Sequence, residues 1–212
     1  MKGHRWPIYS MLAFGYAFLY VPVLLLVIYS FNASRLVTVW GGFSTHWYGE
    51  LLRNAQILDA AWLSVRIAAV NATLAVILGT LAATALVRYG RFRGRGGFEL
   101  LLTAPLVMPD VLIGLSLLLL FVAMQQVIGW PNGRGFTTIA IAHITFSMAY
   151  ATVVIRARLA QMDRSLEEAA MDLGARPLVV YLRITLPLIA PALLSAWLLQ
   201  GVLGVKPPVL TR

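Results

Sequence analysis

Two carboxylates stand out by where they sit. Asp110 lies inside an apolar run, just after Pro105 and Pro109 and four residues before Gly114, where an anion is a functional candidate by default. Glu168 opens a different pattern: Glu168, Ala169, Ala170, three residues, Gly174, nine residues, then Ile184, Leu186 and Pro187. Two alanines beside an acid, in a short polar segment between two apolar ones, would let another surface approach closely, which suits a grip rather than a catalyst. A simple membrane-surface helix is the other reading of the same residues. Nothing here assembles a nucleophile, base and acid into an enzyme's set. Cysteine is absent, which removes disulfides and thiolate metal sites. The glycines of residues 90–97 are followed by no Gly-Lys-Ser/Thr, so the chain holds no phosphate loop of its own and no cofactor is expected.

The elements that must position these groups are set by the bilayer. Of 212 residues, 60% are hydrophobic and 12% charged, too apolar for a soluble domain. The charges cluster between long apolar runs, because a charge at the bilayer centre costs roughly 2.5–3.5 kcal/mol even on the lenient insertion scale. The expected fold is an all-α, polytopic bundle in one transmembrane domain over residues 1–205, with spans near 8–31, 60–87, 99–124, 136–155 and 187–205 and a polar segment at 164–186. The first span is too long for a signal peptide and lacks a convincing cleavage site, so it reads as a retained anchor.

Arginine placement gives the orientation. Lys2, Arg5, the cluster Arg88, Arg91, Arg93 and Arg95, then Arg156, Arg158, Arg164, Arg176 and Arg183 fall on one side of alternating spans. The other side receives Arg35, Arg53, Arg134, Lys206 and Arg212. The positive-inside rule puts the amino terminus and the Glu168 segment in the cytoplasm, with Trp40, Trp47, Trp62 and Trp130 near the outer interface. The same rule accounts for the net charge of +9 without invoking nucleic acid. Outside, Trp47, Tyr48, Leu51, Leu52 and Ala55 recur at helical spacing after a cap at Ser44, which predicts a surface helix. Asn32 and Asn71 each begin a glycosylation pattern, read here as chance.

Within the polar segment, Ser165 and Glu168 have the spacing of a capping box. Leu166, Ala169, Ala170 and Leu173 follow along one face, and Gly174 ends the helix. Pro177 is expected to start a second helix, Leu178 to Leu186, leading into Pro187 and the last span.

The gapless spacing from Glu168 to Pro187 resembles the EAA signature of permease subunits of ABC importers. Phe31 to Ser34, Trp40 to Ser44 and Pro105 to Gly114 resemble the polyamine type, most of all the putrescine type. The resemblance covers roughly residues 7–199. It implies a coupling helix, through Glu168, Ala169, Ala170 and Gly174, seated in a groove of a cytoplasmic ATPase whose dimer closes on ATP. It also implies a second homologous permease chain, a periplasmic polyamine-binding protein, a bacterial inner-membrane location and alternating access driven by the ATPase. A secondary carrier or channel is the weaker alternative, since neither paired intramembrane acids nor internal repeats are present.

The substrate path has to be sought among polar groups within spans. Pro105 and Pro109 each remove a helical hydrogen bond, and Pro109 turns Met108 from the α region, so the third span is expected to kink or break near Asp110. Asp110 is then a substrate-path candidate with Phe121, Phe146 and Tyr150 as cation–π partners, or else a cap of the next segment or a partner of Arg66. His143 is either a proton relay or, as expected, a histidine bonded to a neighbouring carbonyl. Permeases of this kind continue through an acidic pair into a sixth span. Here the resemblance stops near Leu199 and an atypical tail, 206–212, follows. The expectation is of a shortened chain, a non-transporting remnant or assembly factor being the alternative to a working subunit, and of no uptake by this chain alone.

Overall fold

The computed structural model describes residues 6–36, 38–133 and 135–204, so the tail at 206–212 lies outside the described residues. Nearly everything described is helical: α1 (Trp6–Tyr29), α2 (His46–Arg53), α3 (Ala55–Arg88), α4 (Arg95–Val107), α5 (Asp110–Ile128), α6 (Phe136–Gln161), α7 (Ser165–Asp172), α8 (Pro177–Val180), a π-helical turn (Tyr181–Thr185) and α9 (Leu186–Gly204). Five stretches among the described residues are long and apolar enough to cross a membrane: Trp6–Tyr29, Ala55–Arg88, Asp110–Ile128, Phe136–Gln161 and Pro177–Val202. This is an all-α, multi-pass membrane protein. It divides into two compact units, Met1–Ala60 and Ala61–Arg212.

In the first unit α1 buries no side chain, and order gathers in the loop after it. Asn32 is 3% exposed and spends both ends of its amide on backbone. Its Nδ2 donates to the Val39 carbonyl at 2.7 Å, while its Oδ1 accepts from the N–H of Gly41 at 2.7 Å and of Ser34 at 3.1 Å. The Trp47 indole donates to the Asn32 carbonyl at 3.0 Å. An asparagine so occupied is a loop organiser. Helix α2 forms where the apolar spacing predicts it, with the Ser44 hydroxyl accepting the His46 N–H at 3.1 Å.

The second unit is built on α3, α6 and α9, which share a core of Ala83, Ala151, Ile155, Leu159, Ile189 and Ala196. Small residues make this possible. Along α3, Ala68, Ala72, Ala75, Gly79 and Ala82 repeat at intervals of four and three and are buried, so backbones approach closely where lipid supplies no hydrophobic drive. A Cβ placed on Gly79 would lie 2.9 Å from the Ala151 Cβ and 3.0 Å from the Thr152 nitrogen. Asn71, fully buried, donates to the Ser147 hydroxyl at 3.0 Å across the same interface.

Prolines interrupt the spans in two places. Met108 is extended (φ −78°, ψ 141°) and Pro109 likewise (φ −58°, ψ 133°), so the expected third span is two helices, α4 of 13 residues and α5 of 19. Near the last span the expected helix Leu178 to Leu186 is instead four residues of α8 and the π turn, running without a break into α9. Pro187 explains the turn: it has no N–H for the Arg183 carbonyl and its ring crowds that carbonyl, and one wide turn relieves both.

Replacement of Gly79 by leucine is expected to lower stability by about 1–3 kcal/mol through overpacking. Gly114→Leu, where a Cβ would meet nothing within 4 Å, is the control. Thermal unfolding in detergent should separate the two variants, and equal midpoints would contradict the close approach of α3 and α6.

Candidate functional site

Helix α7 carries the Glu168 pattern, and its ends are defined by different residues than spacing suggests. Ser165 is the first helical residue rather than the cap. Asp163 Oδ1 accepts the Ser165 N–H at 3.0 Å, and Arg164, at the cap position, makes no side-chain capping bond. The expected Ser165–Glu168 capping box is therefore replaced by an aspartate two residues upstream of the helix, whose charged oxygen is the better acceptor. The Ser165 backbone N–H, then its hydroxyl, hold the Asp163 carboxyl below its ordinary value of 3.8. At the other end Gly174 takes φ +86°. Its N–H reaches the Met171 carbonyl at 2.9 Å, and that of Ala175 reaches Ala170 at 3.1 Å. This is the paired Schellman closure, which needs a left-handed residue.

The two faces of α7 differ. Glu168 and Ala169 are exposed, Leu166 is 49% and Leu173 90% exposed, and Ala170 is half-buried. The opposite face is held by a residue the spacing did not single out. Glu167 Oε1 accepts from the Arg88 guanidinium at 3.0 Å and from the Thr185 hydroxyl at 2.6 Å, with both charged side chains about seven-eighths buried (14% and 13% exposed). One carboxylate oxygen thus joins the end of α3, the start of α7 and the end of the π turn. Consecutive residues of a helix lie about 100° apart, so Glu167 and Glu168 cannot face the same way, and the pattern gave no means of choosing which turns inward. Arg88, read as part of a topology anchor, is also this pair's cation. Beneath α7 a cleft of about 570 Å³, lined by Leu81, Thr84, Tyr89, Met171 and Tyr181 among others, leaves the helix held by few polar bonds.

A second set of polar residues lies between α5 and α6. Asp110 is the first residue of α5, directly after the Pro109 break, and is exposed. It lines a small cleft with Gly114, Leu117, Ala142, His143 and Phe146. Four of these, Gly114, Leu117, Ala142 and His143, also line a larger cleft, about 270 Å³, that reaches Phe121 and Gln125. On α5 the lining residues Asp110, Gly114, Leu117, Phe121 and Gln125 recur every three or four positions, a face about 22 Å long at 1.5 Å per residue. The structure thus brings Asp110 together with Phe146 and places Phe121 further along, while Tyr150 packs against Phe146 with the rings tilted by 60° and 5.1 Å between centroids and is no part of the lining. Arg66 is not Asp110's partner; its guanidinium sits over the Phe136 ring at 5.8 Å. His143 Nδ1 lies 2.9 Å from the Ile139 carbonyl, the bonded arrangement expected.

With a capped helix on one side and a polar cleft between spans, comparison with known proteins decides the family. The model of the family described as binding-protein-dependent transport system inner membrane component matches residues 75–206. The chain belongs to that family. This permease is 62% identical over 193 residues to the putrescine transport system permease protein PotI of Escherichia coli K12, covering 91% of the chain and 69% of that protein. It is 44% identical over 185 residues to the spermidine/putrescine transport system permease protein PotC of Haemophilus influenzae, covering 87% and 69%. Among solved structures, a bacterial ABC transporter involved in the import of the acidic polysaccharide alginate superimposes with a TM-score of 0.67 at 18% identity, covering 96% of this permease and 73% of that chain. That likeness is one of fold. The relatives are transport subunits, and this permease is a transport subunit rather than an enzyme.

Glu167→Gln should destabilise the permease by about 3 kcal/mol, because it leaves the Arg88 charge buried without its partner. Thermal unfolding of Glu167→Gln against Glu168→Gln reads the difference, and equal midpoints would remove the pin. The Asp163 carboxyl, lowered on folding, stabilises the start of α7 above its ordinary value. That contribution is lost as pH falls through the lower folded value, so the Ser165 amide proton resonance should move only in acid below about pH 4.

Proposed function

We propose that this permease is a subunit of an ATP-driven polyamine importer, putrescine being the expected cargo, in which α7 is the coupling helix. The 62% identity to a putrescine transport system permease over 91% of the chain supports the substrate class. The observation that carries the coupling reading is the division of α7 into a pinned face and a free one. Glu167 holds it to α3 and the π turn, while Glu168, Ala169 and Leu173 stand clear. A cytoplasmic ATPase gripping the free face would move a helix that cannot bend, because Asp163 and Gly174 fix both its ends. The displacement would pass through Glu167 into the ends of two long helices.

In this reading the cytoplasmic side is the one rich in arginine, so α7 and the amino terminus lie there. The partners are an ATPase dimer, a second homologous permease and a periplasmic binding protein that delivers the polyamine. Asp110 lies on the substrate path, exposed at a break in the span where non-helical backbone lines a cavity. Its carboxylate offsets the charge of a polyamine cation as it crosses.

Ala169→Trp tests the coupling. The side chain at Ala169 is exposed, so the variant should keep its thermal midpoint and yet retain at least about tenfold less ATPase on co-purification, as steric exclusion from a close-packed interface requires. Undiminished retention would sink the assignment of α7. For the cargo, proteoliposomes holding the assembled importer should accumulate labelled putrescine only when ATP is supplied to the ATPase side, and uptake without ATP would point to a carrier instead.

A further inference from the structure

The cleft between α5 and α6 has a second polar group facing the same space as Asp110. His143 Nδ1 lies 2.9 Å from the Ile139 carbonyl oxygen, and a carbonyl only accepts, so Nδ1 carries the hydrogen. In the neutral ring Nε2 is then an acceptor. Among the described residues Nε2 meets no hydrogen-bond partner, and the His143 side chain lines both the small cleft with Asp110 and Phe146 and the larger one that runs toward Gln125.

From this we infer that His143 is a substrate-contacting residue: its Nε2 accepts a hydrogen bond from an alkylammonium group for which Asp110 is the counter-ion, so the cleft selects primary amines by their N–H bonds. The inference rests on the reading of this cleft as the polyamine path. An alkylammonium group has three N–H donors, and a carboxylate satisfies them only in part. A neutral acceptor beside it adds a directed bond without a second negative charge. That distinction suits a path, where a site must bind a dication well enough to admit it and weakly enough to release it. Phe146, in the same lining, offers a ring to the methylene chain or the cation.

A thiol introduced into this chain can report on the cleft when labelling is read on this chain alone, since the chain has no cysteine and a Cβ at Gly114 would meet nothing within 4 Å. In the importer assembled with its ATPase, partner permease and binding protein, Gly114→Cys should be alkylated by a maleimide more slowly as putrescine is added. On that background His143→Phe, which keeps a ring and loses the acceptor, should raise the putrescine concentration for half-protection about tenfold, the loss of one charge-assisted hydrogen bond. His143→Gln, which retains an acceptor, should raise it less. Fully N-methylated putrescine, with both charges and no N–H, should protect the unaltered histidine background only at concentrations about tenfold higher. This arm needs no change at His143 and so does not depend on the folding of a His143 variant. Unchanged protection in His143→Phe, or equal protection by the methylated compound, would overturn the role of His143 while loss of protection in Asp110→Asn left the cleft on the path. Absence of protection by putrescine with Asp110 and His143 both intact would remove the cleft from the path, and this inference with it.

Discussion

The hydrogen-bonded ion pair between Arg88 and Glu167 is the interaction on which the α7 end of this bundle depends. Without it α7 would be an eight-residue helix joined to its neighbours by a loop on one side and a glycine on the other, and helices that short are marginal by themselves. Thr185 donates to the same carboxylate oxygen, which brings the π turn into the junction. A buried pair is weak evidence for net stability, because desolvation offsets much of the attraction. Its value here is geometric: it fixes which face of α7 turns inward and leaves the other free.

Irregular backbone in a membrane protein has to be sheltered by protein or line a cavity, and both irregularities here fall at places where something is gained. The break at Met108 and Pro109 frees the first turn of α5 and brings Asp110 to an open cleft. The π turn before Pro187 rotates the start of the last span so that Thr185, buried to 1%, meets Glu167. A proline alone explains each departure from the α-helix, and neither location is explained by proline chemistry alone. The break and the turn sit at the ends of the two polar systems, where the chain has to direct a side chain rather than continue a cylinder.

Much of this was legible in the sequence, and the boundary follows the range of the physics involved. The Met108 break, the Gly174 stop and helix α2 were readable because each depends on a residue's own backbone preference or on apolar period, which are local. The start of α7 was misread by a residue because Asp163 and Ser165 are both good caps, and spacing to Glu168 favoured the weaker acceptor. Glu167 was missed for a different reason. Its importance comes from Arg88, 79 residues away, and no local rule distinguishes two adjacent glutamates until a tertiary contact assigns their faces. Asn32 is similar: its glycosylation pattern reads as chance, and only the folded loop reveals what the residue does, its amide occupied at both ends.

The fold itself says little about the cargo. A transporter involved in importing an acidic polysaccharide shares this fold at 18% identity, and a fold does not set function, so substrate choice has to be sought in particular side chains. The α5 and α6 surfaces are where such a choice can be made at least structural cost. Helix α5 buries no side chain, so its cleft face carries lighter packing demands than the α3 stripe from Ala68 to Ala82, which is buried and at Gly79 lies in close approach to α6. The cleft face of α5 can therefore vary with α3, α6, α9 and the Glu167 junction untouched. Asp110 occupies such a position, exposed at a helix start directly after a proline break.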